Sequence, residues 1–112
     1  MMASDVEELA ELLRVLGDAT RLQIIQFLRN GERTATEIVD KVDKSQSTIS
    51  QHLKMLINAN ILNYRKDGTK KFYHIKSDEV INILREFTPV LASLKRKTLK
   101  QLSSEARSDT LS

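Results

Sequence analysis

The 112-residue chain predicts a mainly α fold carrying one small antiparallel β-hairpin, in the order α-α-α-α-β-β-α over a single domain at residues 1–102. Three observations predict it. Four successive stretches repeat apolar residues at helical spacing, each behind a helix-capping residue. Asp67-Gly68 then divides two strand-like runs, and a last apolar-rich region follows Ser77.

Ser4 with Glu7 reads as a capping box, and Val6, Leu9, Leu13 and Leu16 carry the first helix to Gly17. Asp18 caps the second, whose apolar edge is Leu22, Ile25 and Leu28 before Asn30-Gly31. Thr34 with Glu37 opens a short third helix containing Ile38, Val39 and Val42, which stops at Asp43-Lys44. Ser45 or Ser47 caps the fourth. At about 100° per residue, Ile49, Leu53 and Leu56 share one narrow arc of that helix, the side it buries. Opposite lie Ser47, Gln51 and Lys54, flanked by Thr48, Ser50 and His52, with no acid among them. A short helix, a turn and a second helix with a polar outer face make a helix-turn-helix.

Pairing outward from Asp67-Gly68 sets Leu62 opposite Tyr73, with Tyr64 and Ile75 on the same face. Arg65, Lys66, Lys70 and Lys71 crowd the tip, so residues 65–71 form a basic wing. In the last region Val80, Ile81, Leu84, Phe87, Val90, Leu91 and Leu94 give a wide apolar stripe. Thr88-Pro89 interrupts it, either as a kink or as a cap with proline in the first turn of a new helix. Residues 103–112 are polar and read as a flexible tail.

Charge is unevenly spread. Residues 1–43 carry five basic and nine acidic side chains, residues 44–76 seven and one, and the remainder six and five. The basic third holds the helix whose exposed side is amide, hydroxyl and ammonium, the footprint expected for a polyanion. Helices that are merely solvated mix opposite charges at four-residue spacing instead. Cysteine is absent, which excludes disulfides, thiol switching and thiolate metal sites. No run of 18 apolar residues exists and the amino terminus is acidic, so a soluble, cytoplasmic protein with no membrane partner is expected. An enzyme is not expected, because no nucleophile sits with a base and no glycine-rich phosphate loop occurs.

Three stretches, LGDATRLQII, SQSTISQHLKML and NILNYRKDGTKKFYHI, in this order and at these separations, resemble the ArsR/SmtB-type winged-helix transcriptional regulators. The likeness spans most of residues 9–76, and Ser45, Gln46, Ser50, His52 and Leu53 sit as in that family's recognition helix. It implies a homodimer, joined through the first and last helices, that sets two recognition helices in successive major grooves and two wings on flanking DNA. The apolar residues Leu9, Leu12, Leu13 and Leu16, with Phe87, Val90, Leu91 and Leu94, agree with a dimer, being more than a domain this small can cover.

Double-stranded DNA is therefore the expected partner, read through helix 45–58. Gln46 and Gln51 suit adenine, Lys54 suits guanine or phosphate, and Ser47, Thr48 and Ser50 suit either. His52 has two open roles, a packed imidazole or a phosphate contact. Arg65, Lys66, Lys70 and Lys71 add affinity with little specificity. Many relatives sense metals, but ATEIVDKV stands here in place of the family's Cys-x-Cys. Glu79 and Glu86 have no histidine beside them, so no metal or other cofactor is expected. A small ligand, a partner protein, a physical signal such as temperature, or no effector all remain open. Beside an operator-specific repressor stand two alternatives, a winged helix used for protein contacts and a non-specific architectural DNA binder.

Overall fold

The computed structural model describes residues 1–111 along the backbone and residues 1–106 to their side chains. They fall into two compact units, residues 1–77 and the segment from Asp78 onward. The first contains α1 (Ala3–Leu16), α2 (Ala19–Leu28), β1 (Arg33–Thr34), α3 (Ala35–Val42), α4 (Gln46–Asn58), β2 (Leu62–Asp67) and β3 (Lys70–Ile75), and the second is α5 (Asp78–Leu111).

Caps set most of the helix starts. The Asp18 carboxylate accepts the Arg21 amide at 3.1 Å. Thr34 and Glu37 exchange hydrogen bonds, Glu37 N–H to the Thr34 hydroxyl at 3.3 Å and Thr34 N–H to the Glu37 carboxylate at 3.2 Å. The Ser45 hydroxyl accepts the Thr48 amide at 3.1 Å, so Ser45 rather than Ser47 opens α4. α1 departs from expectation. It begins one residue before Ser4, and Asp5 rather than Glu7 receives the free amide of Met2 at 3.1 Å.

The core of the first unit is built from Ile24, Ile25, Leu28, Ile38, Ile49, Leu53, Leu56, Ile61 and Leu62. The arc of α4 is buried as its spacing requires. On α2 the buried set is Arg21, Ile24, Ile25 and Leu28, while Leu22 is 38% exposed. Both phases satisfy helical spacing in the sequence, and Ile24 takes the place expected for Leu22.

Two left-handed residues shape the turns. Asp43, at φ 57°, ends α3 and its amide returns to the Val39 carbonyl at 3.0 Å. Asn60, at φ 61°, ends α4 in a Schellman motif, with Ile61 N–H to the Leu56 carbonyl and Asn60 N–H to the Ile57 carbonyl, each at 3.0 Å. Leu56 and Ile61, the pair that packs across such a motif, are both fully buried. The recognition helix is thereby closed and β2 launched by one short turn.

The sheet has three antiparallel strands in the order β1-β3-β2. β1 is only two residues long, pairing Arg33 with Tyr73 and Thr34 with Phe72, and was not expected. The hairpin register is also corrected. Asp67 pairs with Lys70, so the two-residue turn is Gly68-Thr69 rather than Asp67-Gly68, and Leu62 faces Ile75 while Tyr64 faces Tyr73. Gly68, at φ 63°, supplies the positive φ needed at the first central position of a tight hairpin. Because the pairing moves by two residues, the same side chains keep the buried face.

α5 runs unbroken through Pro89, so no new helix begins there. Just before the proline the Thr88 hydroxyl donates to the Leu84 carbonyl at 3.4 Å. The segment read as a flexible tail is helical to Leu111, and Ser112 lies outside the described residues. After Pro89 no proline or glycine stops the helix. Gln101 also reaches Glu105 one turn on at 3.4 Å.

Candidate nucleic-acid interface

On α4 Ser47, Gln51 and Lys54 lie opposite Ile49, Leu53 and Leu56, and with Ser50 on the flank and Gln46 in the first turn they are all exposed. Thr48 is half-buried and its hydroxyl accepts the Ser45 hydroxyl proton at 2.9 Å, which ties it to the cap. The outer face therefore offers two amides, two hydroxyls and one ammonium on a rod fixed at both ends. No acid interrupts it.

His52 is half-buried, and its Nδ1 accepts a hydrogen bond from Arg21 Nε at 3.1 Å. Of its two open roles, this contact establishes the packed one. Arg21 was not singled out in the sequence, yet it is the buried charged side chain of the core. Its Nη1 donates to the Val15 carbonyl at 3.0 Å and the Arg14 carbonyl at 3.4 Å, and its Nη2 to Met55 Sδ at 3.0 Å. The carbonyls ending α1 have no partners within their own helix, and the guanidinium supplies them. Arg21 thus joins the end of α1 to α4. Placing the α2 stripe on Ile24 would have revealed it, since a charged residue then falls at the head of a core arc. Asp18, which accepts the Arg21 amide, is held below the usual carboxylate range chiefly by that bond.

The wing divides its cations between two faces. Lys66 and Lys71 oppose each other across the ribbon on the side of Tyr64 and Tyr73, and Lys71 Nζ lies 4.7 Å above the Tyr64 ring. Like charges directly opposite one another cost stability unless an anion separates them. Arg65 and Lys70 occupy the other face. Arg65 is already engaged. Its Nε reaches both Glu32 carboxylate oxygens at 2.9 and 3.0 Å, and its guanidinium carbon lies 4.5 Å over the Phe72 ring. This guanidinium holds Glu32 below its ordinary pKa, and Glu32 in turn raises that of Arg65. Lys70 and Lys71 also line an open cleft of about 610 Å³ with Thr34, Thr36 and Glu37, which brings the start of α3 beside the wing.

Of the residues expected at a dimer face, Leu9 and Leu13 are 42% and 45% exposed, and Leu12 is half-buried. Leu16 is corrected. At 5% exposure it belongs with Val15 to the core, because the chain folds back into α2 directly after it. Val6, 51% exposed, extends the α1 face instead. On α5, Phe87, Val90, Leu91 and Leu94 are each about half exposed. No three potential metal ligands cluster among the described residues, and no helix there is long and apolar enough to cross a membrane.

Residues 18–64 match the family described as bacterial regulatory protein, arsR family. The chain is 42% identical over 80 residues to an uncharacterized HTH-type transcriptional regulator of Methanocaldococcus jannaschii, covering 70% of this chain and 90% of that one. It is 31% identical over 98 residues to the arsenical resistance operon repressor of Staphylococcus aureus, covering 88% and 94%. Among solved structures, NolR from Sinorhizobium fredii aligns with a TM-score of 0.74 at 31% identity, over 78% of this chain and 87% of that one. A homodimeric winged helix-turn-helix DNA-binding domain from Mycobacterium bovis aligns at 0.72 and 26% identity, over 80% and 83%. Fold, motif and relatives coincide on the same residues: the chain belongs to the ArsR family of winged helix-turn-helix transcriptional regulators.

Proposed function

We propose that the protein is a repressor that binds an inverted-repeat operator as a homodimer, with α4 of each copy in a major groove and each wing on the flanking backbone. The observation that carries this reading is the outer face of α4, where Gln46, Ser47, Ser50, Gln51 and Lys54 stand exposed with no acid among them. Gln46 and Gln51 bond adenine edges, Lys54 bonds guanine or phosphate, and Ser47 and Ser50 bond whichever group they meet. Thr48 contributes its backbone and cap position more than its engaged hydroxyl. Lys66, Lys70 and Lys71 bind phosphates, which relieves the opposition of Lys66 and Lys71.

A second copy covers the apolar side chains that α1 and α5 each leave exposed, Leu9 and Leu13 on one and Phe87, Val90, Leu91 and Leu94 on the other. Twofold symmetry then spaces the two α4 helices by about 34 Å, one turn of B-DNA. The protein acts in the cytoplasm, and its work is binding, with no catalytic step.

Footprinting across the protein's own promoter region tests this. Protection of an imperfect palindrome is expected, and a Gln51→Ala Lys54→Ala variant should lose it while sedimenting as a dimer. Uniform coverage of any duplex would replace the repressor by an architectural binder.

A further inference from the structure

Arg21 is buried, yet among the described residues no carboxylate lies within ion-pair distance of its guanidinium. Its charge is met by two carbonyls, a thioether and one imidazole nitrogen, His52 Nδ1. A guanidinium only donates, so Nδ1 must carry a lone pair. The ring proton is then on Nε2, which has no hydrogen-bond partner among the described residues. His52 is half-buried, on the flank of the exposed face of α4 next to Gln51.

We infer that Arg21 is a positioning residue for DNA binding, holding His52 in its Nε2–H tautomer so that the uncharged imidazole donates a hydrogen bond to a backbone phosphate. This rests on the reading of α4 as the DNA-contacting helix. It reconciles the two roles open to His52, because the packed edge of the ring fixes what the other edge offers. It also gives the helix a contact set by geometry rather than by charge. Phosphate contacts of this kind fix register on the duplex without reading sequence.

Two substitutions separate the edges of the ring. His52→Asn keeps an acceptor where Nδ1 stands and removes the far donor. His52→Gln places an amide N–H near the Nε2 position and gives up the acceptor. Long-range proton–nitrogen NMR on the protein should show the His52 ring proton on Nε2, with Nδ1 as the acceptor from Arg21. Titrations with both a promoter duplex and a random-sequence duplex, repeated over a salt series, should show His52→Asn binding about tenfold more weakly, the size of one hydrogen bond to a charged group. Its salt dependence should match wild type, because no cation has been lost. His52→Gln should recover most of the affinity. Arg21→Lys should shift the NMR signature toward a mixture of tautomers, and the His52 variants stand as the test if that protein does not fold.

An Nδ1–H tautomer overturns the inference. So does undiminished binding by His52→Asn, or a salt slope that falls by about one, which marks His52 as a cation. If wild-type protein ignores both duplexes, the DNA-binding reading falls as well; if wild type binds and only the His52 results fail, the role given to Arg21 falls alone.

Discussion

Glu32 and Arg65 illustrate how one residue's function depends on a partner far along the chain. Read from the sequence, Arg65 is one of four free wing cations; in the fold its guanidinium lies against a carboxylate 33 residues away and over the Phe72 ring. No local pattern announces such a pair, and the same holds for Arg21 and His52, separated by 31 residues. If the wing lies on the DNA backbone as proposed, the Glu32 carboxylate competes with phosphate for Arg65. A Glu32→Gln variant is therefore expected to bind duplex more tightly at low salt, with log affinity falling more steeply against log salt by about one unit. Fluorescence anisotropy over a salt series measures both. Weaker binding with an unchanged slope would mean that the pair serves to prop the wing.

Most elements were legible where their signals were short-range, although the Ser4–Glu7 box was not, since Met2 and Asp5 open α1 instead. Asp18 and the Thr34–Glu37 box were readable as caps because each bond spans three residues, whereas the choice of Ser45 over Ser47 came only with the structure. The arc of Ile49, Leu53 and Leu56 was readable because only one phase of α4 collects its apolar residues. Long-range pairing was not legible: β1 is a strand only because Tyr73 and Phe72 of β3 lie beside it. The hairpin turn was misplaced by one residue because Asp67-Gly68 and Gly68-Thr69 both put glycine at a central position where a positive φ is tolerated, and only the long-range pairing of Asp67 with Lys70 decides between them. The turn after α4 is a further case. Asn60 holds a left-handed conformation that a β-branched residue tolerates badly. Asn60→Val should cost about 1–2 kcal/mol, lowering Tm by roughly 4–8 °C per kcal/mol for a domain of this size. Asn60→Gly should melt close to wild type. Thermal denaturation followed by circular dichroism tells them apart, and equal Tm values for the two variants would refute the role given to the turn.

At the level of the whole molecule, the carboxyls of Asp18 and Glu37 are both held below their ordinary pKa, chiefly by backbone amides at helix starts. In the folded chain they bind protons less readily than in the unfolded one. Their contribution to stability is thus complete above the usual carboxylate range near about pH 4, and is lost as pH falls through the lowered folded values. Tm should be insensitive to these groups from pH 8 to 5 and drop below about pH 4. Asp18→Asn, which keeps a capping oxygen but no titration there, should drop less steeply. For assembly, replacing Phe87 or Leu91, each about half exposed, by Glu should yield monomers in sedimentation velocity and weaken operator binding. A dimer that survives both changes would place the interface elsewhere.

The two sides of α4 are chemically independent. Ile49, Leu53 and Leu56 answer to the interior, whereas Gln46, Ser47, Ser50, Gln51 and Lys54 are exposed. Changes among the exposed five leave the buried three in place, so under the proposed role of α4 duplicated copies of such a gene would be free to acquire new target sites one base preference at a time, while the scaffold is inherited intact.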